Sequence, residues 1–332
     1  MSRRSRKSKR RLNSLSMTLV LTGMLLLSST YAWFSANKEV ALEGINAKVV
    51  AAEGLQISLD GESWSSKITI NKDALAAATA NSYVWPDALV PVSTVGGLDS
   101  GNMEMYYGDV SAEGDSLTNP TDETTGSTKY IVFDLYFKNS SSQATGDILQ
   151  LNTGSSVAIA ADGKAGTGLE NSIRSSVVLY SNSVAMTESG ENIRKIAAGT
   201  PKVCIWEPNY DKHITEVVNN DDRITGATQA YTTLALKDIT PDDEGVIPNI
   251  TSTSATDNID EQTTLTSGAS ITEAVNMTNL GGDNLMLAQN AVMKARVYIW
   301  LEGQDPDCID TASTGKSIDV VLGFTKPAVD KD

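Results

Sequence analysis

Histidine is almost absent from this sequence, because His213 is the single histidine among 332 residues. A zinc site of the HExxH type, or any site with several histidine ligands, is therefore excluded. A Ser-His-Asp triad would have to use His213, and the GxSxG turn that presents the serine in many hydrolases does not occur. We therefore expect no enzymatic activity.

Cysteine is also scarce, with Cys204 and Cys308 the two in the chain. In an oxidising compartment the two could form a disulfide that closes a large loop. Both could equally be free and buried, since cysteine packs as a small hydrophobic residue. The sequence leaves these two alternatives open.

Basic residues are scarce in most of the chain. Seven of the 26 lysines and arginines lie in the first 32 residues, which contain no acid, so 19 basic residues face 41 acidic ones in the remainder. The net charge of that remainder is −22. Such a surface repels phosphate backbones, so we expect no binding to nucleic acid.

Only one long apolar run occurs, at Leu15–Leu27. A basic arm, Arg3–Arg11, precedes it and small residues follow it, which is the signature of an export signal. We predict that signal peptidase cuts between Ala32 and Trp33 and removes residues 1–32. The run is borderline for the roughly 20 apolar residues of a bilayer span, so an uncleaved membrane anchor is the alternative. In both cases we expect this segment to be the only part of the chain that contacts the membrane.

Strand-like alternation of apolar and polar residues dominates the rest of the chain. The clearest stretches are Leu55–Leu59, Lys129–Lys138, Met293–Leu301 and Ser317–Thr325. One short helix is predicted at Lys72–Ala80, with Asn71 as its N-cap.

Two regions lack this alternation. Gly96–Thr128 is rich in Gly, Ser, Asp and Thr and is predicted to form loops. A stretch at about 238–283 is rich in Thr, Ser, Asp and Asn and is predicted to be a long polar insertion. Many short strands with long polar loops favour an all-β fold, an antiparallel β-sandwich, with residues 33–332 as a single domain.

Carboxylates cluster at Asp305, Asp307 and Asp310. Calcium is bound by several oxygen ligands at once, so this group is a weak candidate for a calcium site. It lacks the spacing of an EF-hand, and solvated turns are the favoured interpretation because aspartate is common in turns. No other cofactor is expected.

The residues at the signal exit, TYAWFSAN at Thr30–Asn37, resemble those of Gram-positive secreted proteins of the TasA/camelysin type. Ser28 and Ser29 stand where that family has two glycines. The chain also resembles a group of exported proteins of Firmicutes. The stretches that carry this second resemblance are GLQISLDG (Gly54–Gly61), FDLYFKN (Phe133–Asn139), WEPN (Trp206–Asn209) and VYIWLEGQDPDC (Val297–Cys308).

The resemblance implies a jelly-roll sandwich, processing by a dedicated signal peptidase, and a role as a fibre subunit of the biofilm matrix, secreted or at the cell surface. It also implies homopolymers in which an N-terminal strand inserts into the next subunit. The segment Trp33–Val50 is placed for this, since strand addition at an open edge satisfies backbone groups and buries alternate side chains. Its β-compatible residues include Trp33, Phe34, Val40, Leu42 and Ile45.

Two alternatives accompany this expectation. Val40–Val50 could pair within its own domain. The protein could also be an adhesin-like binding module that is held in the membrane by an uncleaved N-terminal helix and does not polymerise.

Overall fold

The computed structural model of the protein describes residues 44–52, 54–110, 116–209, 214, 247–248, 274–279, 283–305, 307–308 and 310–327. Strands dominate these residues, so the all-β prediction is confirmed. The strands are β1 (Gly44–Ala51), β2 (Leu55–Ser58), β3 (Lys67–Ile70), β4 (Ser93–Asp99), β5 (Asn102–Val110), β6 (Ser116–Asp122), β7 (Ile131–Asn139), β8 (Asp147–Ile148), β9 (Gln150–Leu151), β10 (Ser156–Ile159), β11 (Ile173–Ala185), β12 (Lys202–Trp206), β13 (Ile247–Pro248), β14 (Val275–Asn276), β15 (Met286–Leu287), β16 (Ala291–Leu301) and β17 (Ser317–Thr325).

The helices of the described residues are short: α1 (Lys72–Ala77), α2 (Leu169–Ser172), α3 (Gly190–Arg194) and a 3₁₀ turn at Asp310–Gly315. The predicted cap of the first is confirmed, because the side chain of Asn71 accepts a hydrogen bond from the backbone N–H of Ala74 at 2.8 Å. None of the described helices is long and apolar enough to cross a membrane.

The strands form three larger sheets. Sheet I has the order β14-β9-β17-β1-β3, with β10 also paired to β17. Sheet II has the order β12-β11-β16-β7-β2, and sheet III the order β13-β6-β5-β4. A small fourth sheet pairs β15 with β8.

The predicted antiparallel arrangement needs one correction. The first and last strands, β1 and β17, pair in parallel from Gly44 opposite Ser317 to Ala51 opposite Phe324. All other pairs between the described strands are antiparallel. Parallel neighbours require a long connection. Here all the other described strands lie between β1 and β17 in the sequence.

The first core lies between sheet I and sheet II. The alternating apolar residues of two predicted strands supply it, with Ile131, Phe133, Leu135 and Phe137 from β7 and Ile318, Val320, Leu322 and Phe324 from β17. The rings of Phe137 and Phe324 meet edge to face with their centroids 5.0 Å apart. Such aromatic pairs contribute about 0.5–1.5 kcal/mol beyond their burial.

A second core lies on the opposite face of sheet II. Tyr136, Tyr298 and Trp300 of sheet II pack there with Met103 and Met105 of β5. The backbone N–H of Met103 donates to the Tyr298 hydroxyl at 3.0 Å, which ties sheet III to sheet II. Sheet II is therefore buried on both faces and forms the middle of three layers.

Sheet III corrects the prediction that Gly96–Thr128 forms loops. Most of that stretch belongs to β4, β5 and β6. Its apolar residues are few but are placed on the inner face, where Met103, Met105 and Leu117 are at most 3% exposed. Packing against the aromatic face of sheet II outweighs the low strand propensity of the segment.

The predicted insertion at about 238–283 is described only in part. Within it, β13 pairs with β6, β14 pairs with β9, and Met277 is buried in the first core. The C-terminal end of the predicted insertion therefore belongs to the sandwich, which the prediction missed. The remainder lies outside the described residues.

Candidate functional site

The N-terminal strand is the predicted site that the structure describes in part. Trp33, Phe34, Val40 and Leu42 lie outside the described residues, as does the predicted cleavage point after Ala32. Ile45 lies in β1, where it pairs with Ile318 of β17. Gly44–Ala51 therefore pairs with strands of its own chain, as in the alternative stated above for Val40–Val50.

The start of β1 has a strand on only one side. β17 pairs with the full length of β1, whereas β3 pairs only with Ala47–Val50. Within the described part of the chain, no strand lies beside Gly44–Asn46 on the β3 side. Asn46 is nevertheless anchored, because its Nδ2 donates to Oδ1 of Asp319 at 2.8 Å. The chain thus arrives at the sandwich next to an open stretch of sheet edge.

Apolar surface is scarce on the described residues. Met286, at 37% exposure, is the large hydrophobic side chain that stands out as exposed.

The two acidic motifs, WEPN and VYIWLEGQDPDC, converge on one buried arginine. Arg174 of β11 is 2% exposed. Its Nη2 lies 2.5 Å from Oε1 of Glu207 and 2.5 Å from Oδ2 of Asp305. Its Nη1 donates to the carbonyl oxygen of Asn171 at 2.7 Å. The two carboxylates raise the pKa of Arg174 against the effect of burial, which by itself would lower it.

Glu302 extends this cluster towards sheet III. Its Oε1 accepts from the Ser93 hydroxyl at 2.5 Å and from the backbone N–H of Gln304, and its Oε2 accepts from Nε1 of Trp300 at 3.0 Å. Burial raises the pKa of Glu302, and these hydrogen bonds together with Arg174 partly oppose that rise. The cluster holds the loop after β16 against β4 and β11.

The calcium candidates belong to this cluster. Asp305 pairs with Arg174, while Asp307 accepts from the backbone N–H of Ile214 at 2.9 Å and from Nδ2 of Asn171 at 3.1 Å. The Asp310 side chain lies outside the described part of the structure. Among the described residues, no group of three acidic, cysteine or histidine side chains has the geometry of a metal site.

The disulfide considered from the sequence is not formed. Each of the two thiols, Cys204 and Cys308, is 2% exposed and packs within the first core. Burial raises the pKa of Cys204 to about 12 and raises that of Cys308 well above its ordinary value. Both are therefore unreactive core residues at neutral pH.

Sequence reasoning missed Arg174, although a signal for it exists. Arginine is rarely buried without a partner, and Arg174 stands in an apolar strand between Ile173 and the buried stretch that follows it. Such a position predicts a buried carboxylate, and the acidic motifs supply it.

A comparison of the chain with known protein families, curated proteins and solved structures finds no match.

Proposed function

We propose that the chain is an exported, non-enzymatic structural protein of the cell surface or biofilm matrix of a Gram-positive bacterium, which assembles into fibres by donating its N-terminal strand. The observation that carries the proposal is the start of β1, where no strand of the described part of the chain lies beside Gly44–Asn46 on the β3 side. None of the described strands includes a residue of the segment that would be donated, Trp33–Lys38.

The length of that segment fits strand donation. After a cut behind Ala32, residues 33–43 precede β1. Eleven extended residues span roughly 36 Å at about 3.3 Å per residue, which is enough to reach a neighbouring subunit. The scarcity of exposed apolar side chains on the described residues supports an association through backbone pairing. A head-to-tail contact of this kind that does not close produces filaments. The jelly-roll connectivity implied by the resemblance belongs to the same proposal.

The test is to remove Trp33–Lys38 from the mature protein. We expect the truncated protein to form no fibres in electron micrographs, because the donated strand would be lost. Its circular dichroism should match that of the intact protein, since none of the described strands includes residues 33–38. Removal of residues 328–332 from the other end is the matched control and should leave fibres intact. Fibres from the truncated protein would refute strand donation.

The second candidate function is the membrane-anchored binding module. It rests on the apolar run Leu15–Leu27, which is borderline for the roughly 20 apolar residues of a bilayer span. N-terminal sequencing of the protein from its own cells separates the two. A start at Trp33 in the medium supports the matrix subunit, whereas retention of Met1–Ala32 in the membrane fraction supports the anchored module.

A further inference from the structure

Lysine, asparagine and aspartate side chains meet at one end of the first core. Lys326 directly follows β17 of sheet I, Asn139 is the last residue of β7 in sheet II, and Asp147 is the first residue of β8. Asn139 is 1% exposed and Asp147 5% exposed, while the Lys326 side chain is 12% exposed. Sheet I, sheet II and the small fourth sheet thus place an amine, an amide and a carboxylate together.

The hydrogen bonds among these three side chains are specific. Nζ of Lys326 donates to Oδ1 of Asn139 at 2.9 Å and lies 3.5 Å from Oδ2 of Asp147. Nδ2 of Asn139 donates to the same Oδ2 at 2.8 Å. The backbone N–H of Ser141 donates to Oδ1 of Asn139 at 3.2 Å, and Nδ2 also donates to the carbonyl oxygen of Ala288 at 3.2 Å. One carboxylate oxygen therefore contacts both the amine and the amide nitrogen.

Two glycines leave the room that this arrangement needs. A Cβ atom at Gly54 would lie 3.2 Å from Cε and 3.3 Å from Nζ of Lys326. A Cβ atom at Gly146 would lie 2.4 Å from the carbonyl oxygen of Leu287, so only glycine fits directly before Asp147. Both glycines also have positive φ angles, which larger residues rarely adopt.

We propose that Lys326 and Asn139 join in an intramolecular amide bond after the chain has folded. A carboxylate beside an amine and an amide can move protons between them, and the fixed geometry replaces a bimolecular encounter. Lysine amines are established nucleophiles once a neighbouring base has taken their proton. The alternative is that these side chains form an ion pair and hydrogen bonds but no covalent bond. The linked and the unlinked chain differ in mass.

The reaction balances without an oxidant or a cofactor. Asp147 takes a proton from the Lys326 ammonium, and the free amine attacks Cγ of Asn139. Negative charge develops on Oδ1, where the Ser141 N–H already donates. Asp147 then passes the proton to Nδ2, the bond between Cγ and Nδ2 breaks to release ammonia, and the new amide gives its extra proton to that ammonia. The leaving nitrogen departs as ammonium, and Asp147 is again a carboxylate.

The bond would connect the end of the last strand of sheet I to the end of a central strand of sheet II. It would close a covalent loop that runs from Asn139 to Lys326 and would resist unzipping of β17. This inference does not depend on fibre formation, since the reacting groups all belong to one chain.

Mass spectrometry of the denatured full chain tests the proposal. We expect the protein to be lighter than its sequence by about 17 Da, the mass of the ammonia lost when the amine displaces the amide nitrogen. Trypsin should then release a branched peptide that joins residues 139–164 to residues 317–331, since the chain has cleavage sites after Lys138, Lys164, Lys316 and Lys331.

Three variants complete the experiment. Lys326→Arg keeps the charge but removes the nucleophile, and Asp147→Asn removes the proton carrier, so both should have the full mass and no branched peptide. Lys164→Arg changes an exposed lysine and should remain linked like the wild type. Full mass and two separate peptides in the wild type would overturn the proposal. So would a loss of about 17 Da that persists in Lys326→Arg, because cyclisation of asparagine on its own backbone releases the same ammonia. A branched peptide in Asp147→Asn would overturn the role of the carboxylate.

Discussion

Replacement of Arg174 by methionine should destabilise the protein severely. The guanidinium bridges Glu207 and Asp305 at 2.5 Å each and is 2% exposed, so its loss leaves two carboxylates buried without a counter-charge. Removal of one partner from a buried ion pair costs about 3–5 kcal/mol, because the desolvated charge that remains is not compensated. We expect urea unfolding, followed by tryptophan fluorescence, to show a loss of this size. The melting temperature should fall by roughly 10 °C.

Two further variants make this prediction specific to the cluster. Lys202→Met removes a lysine that pairs with Asp283 on the surface, where the side chains are 38% and 74% exposed. Its expected cost is about 0–1 kcal/mol, since solvent screens such pairs. Addition of Glu207→Gln and Asp305→Asn to Arg174→Met should restore part of the lost stability, because the stranded charges are then neutral. A cost below about 1 kcal/mol for Arg174→Met alone would refute the reasoning.

Two other predictions concern the buried acid and the third sheet. Burial raises the pKa of Glu302, so the folded state holds its proton more tightly than the unfolded state does. Stability from this group is therefore greatest below its unfolded pKa and falls as the pH rises through the folded pKa. Glu302→Gln should remove this part of the pH dependence, and urea midpoints measured across a pH series that run parallel for the two proteins would contradict it. Met103→Ala, in the second core, should cost about 2–4 kcal/mol through the cavity that it leaves, and Met286→Ala on the surface less than about 0.5 kcal/mol, as measured by urea unfolding. Equal costs for the two methionines would show that sheet III does not pack as described.

The strands that could be predicted from sequence are those with a regular inner face. In Ser317–Thr325 every second residue is large and apolar, and β17 has these bounds. The same alternation in Met293–Leu301 identified most of β16. Sheet III could not be predicted in this way, because its strands contain glycine, asparagine and proline, and few apolar residues signal their inner face. The face of sheet II that they cover is also apolar, but the sequence did not indicate which strands would pack on it.

The residues of each candidate site lie in separate stretches of the sequence, and the sequence did not show that they come together. Asn139 ends one motif that was singled out, whereas Lys326 follows the last strand and attracted no interpretation. Glu207 and Asp305 each stood in an acidic motif, and the arginine that joins them lies in a third stretch of chain. Side chains so far apart in sequence carry no local signal of their contact, because hydrophobic periodicity reports the face on which a residue lies and not its neighbour across the core.

The sequence by itself determined the all-β class, the alternation of the main strands, the cap of the first helix and the acidic character of the chain after residue 32. These depend on local propensity, on period and on composition, which need no knowledge of distant contacts. The tertiary structure alone decided the parallel pairing of β1 with β17, the third layer over sheet II, the state of Cys204 and Cys308, and the partners of Arg174 and Lys326. Each of these is a contact between segments distant in sequence, whose energy depends on burial and distance in the folded chain.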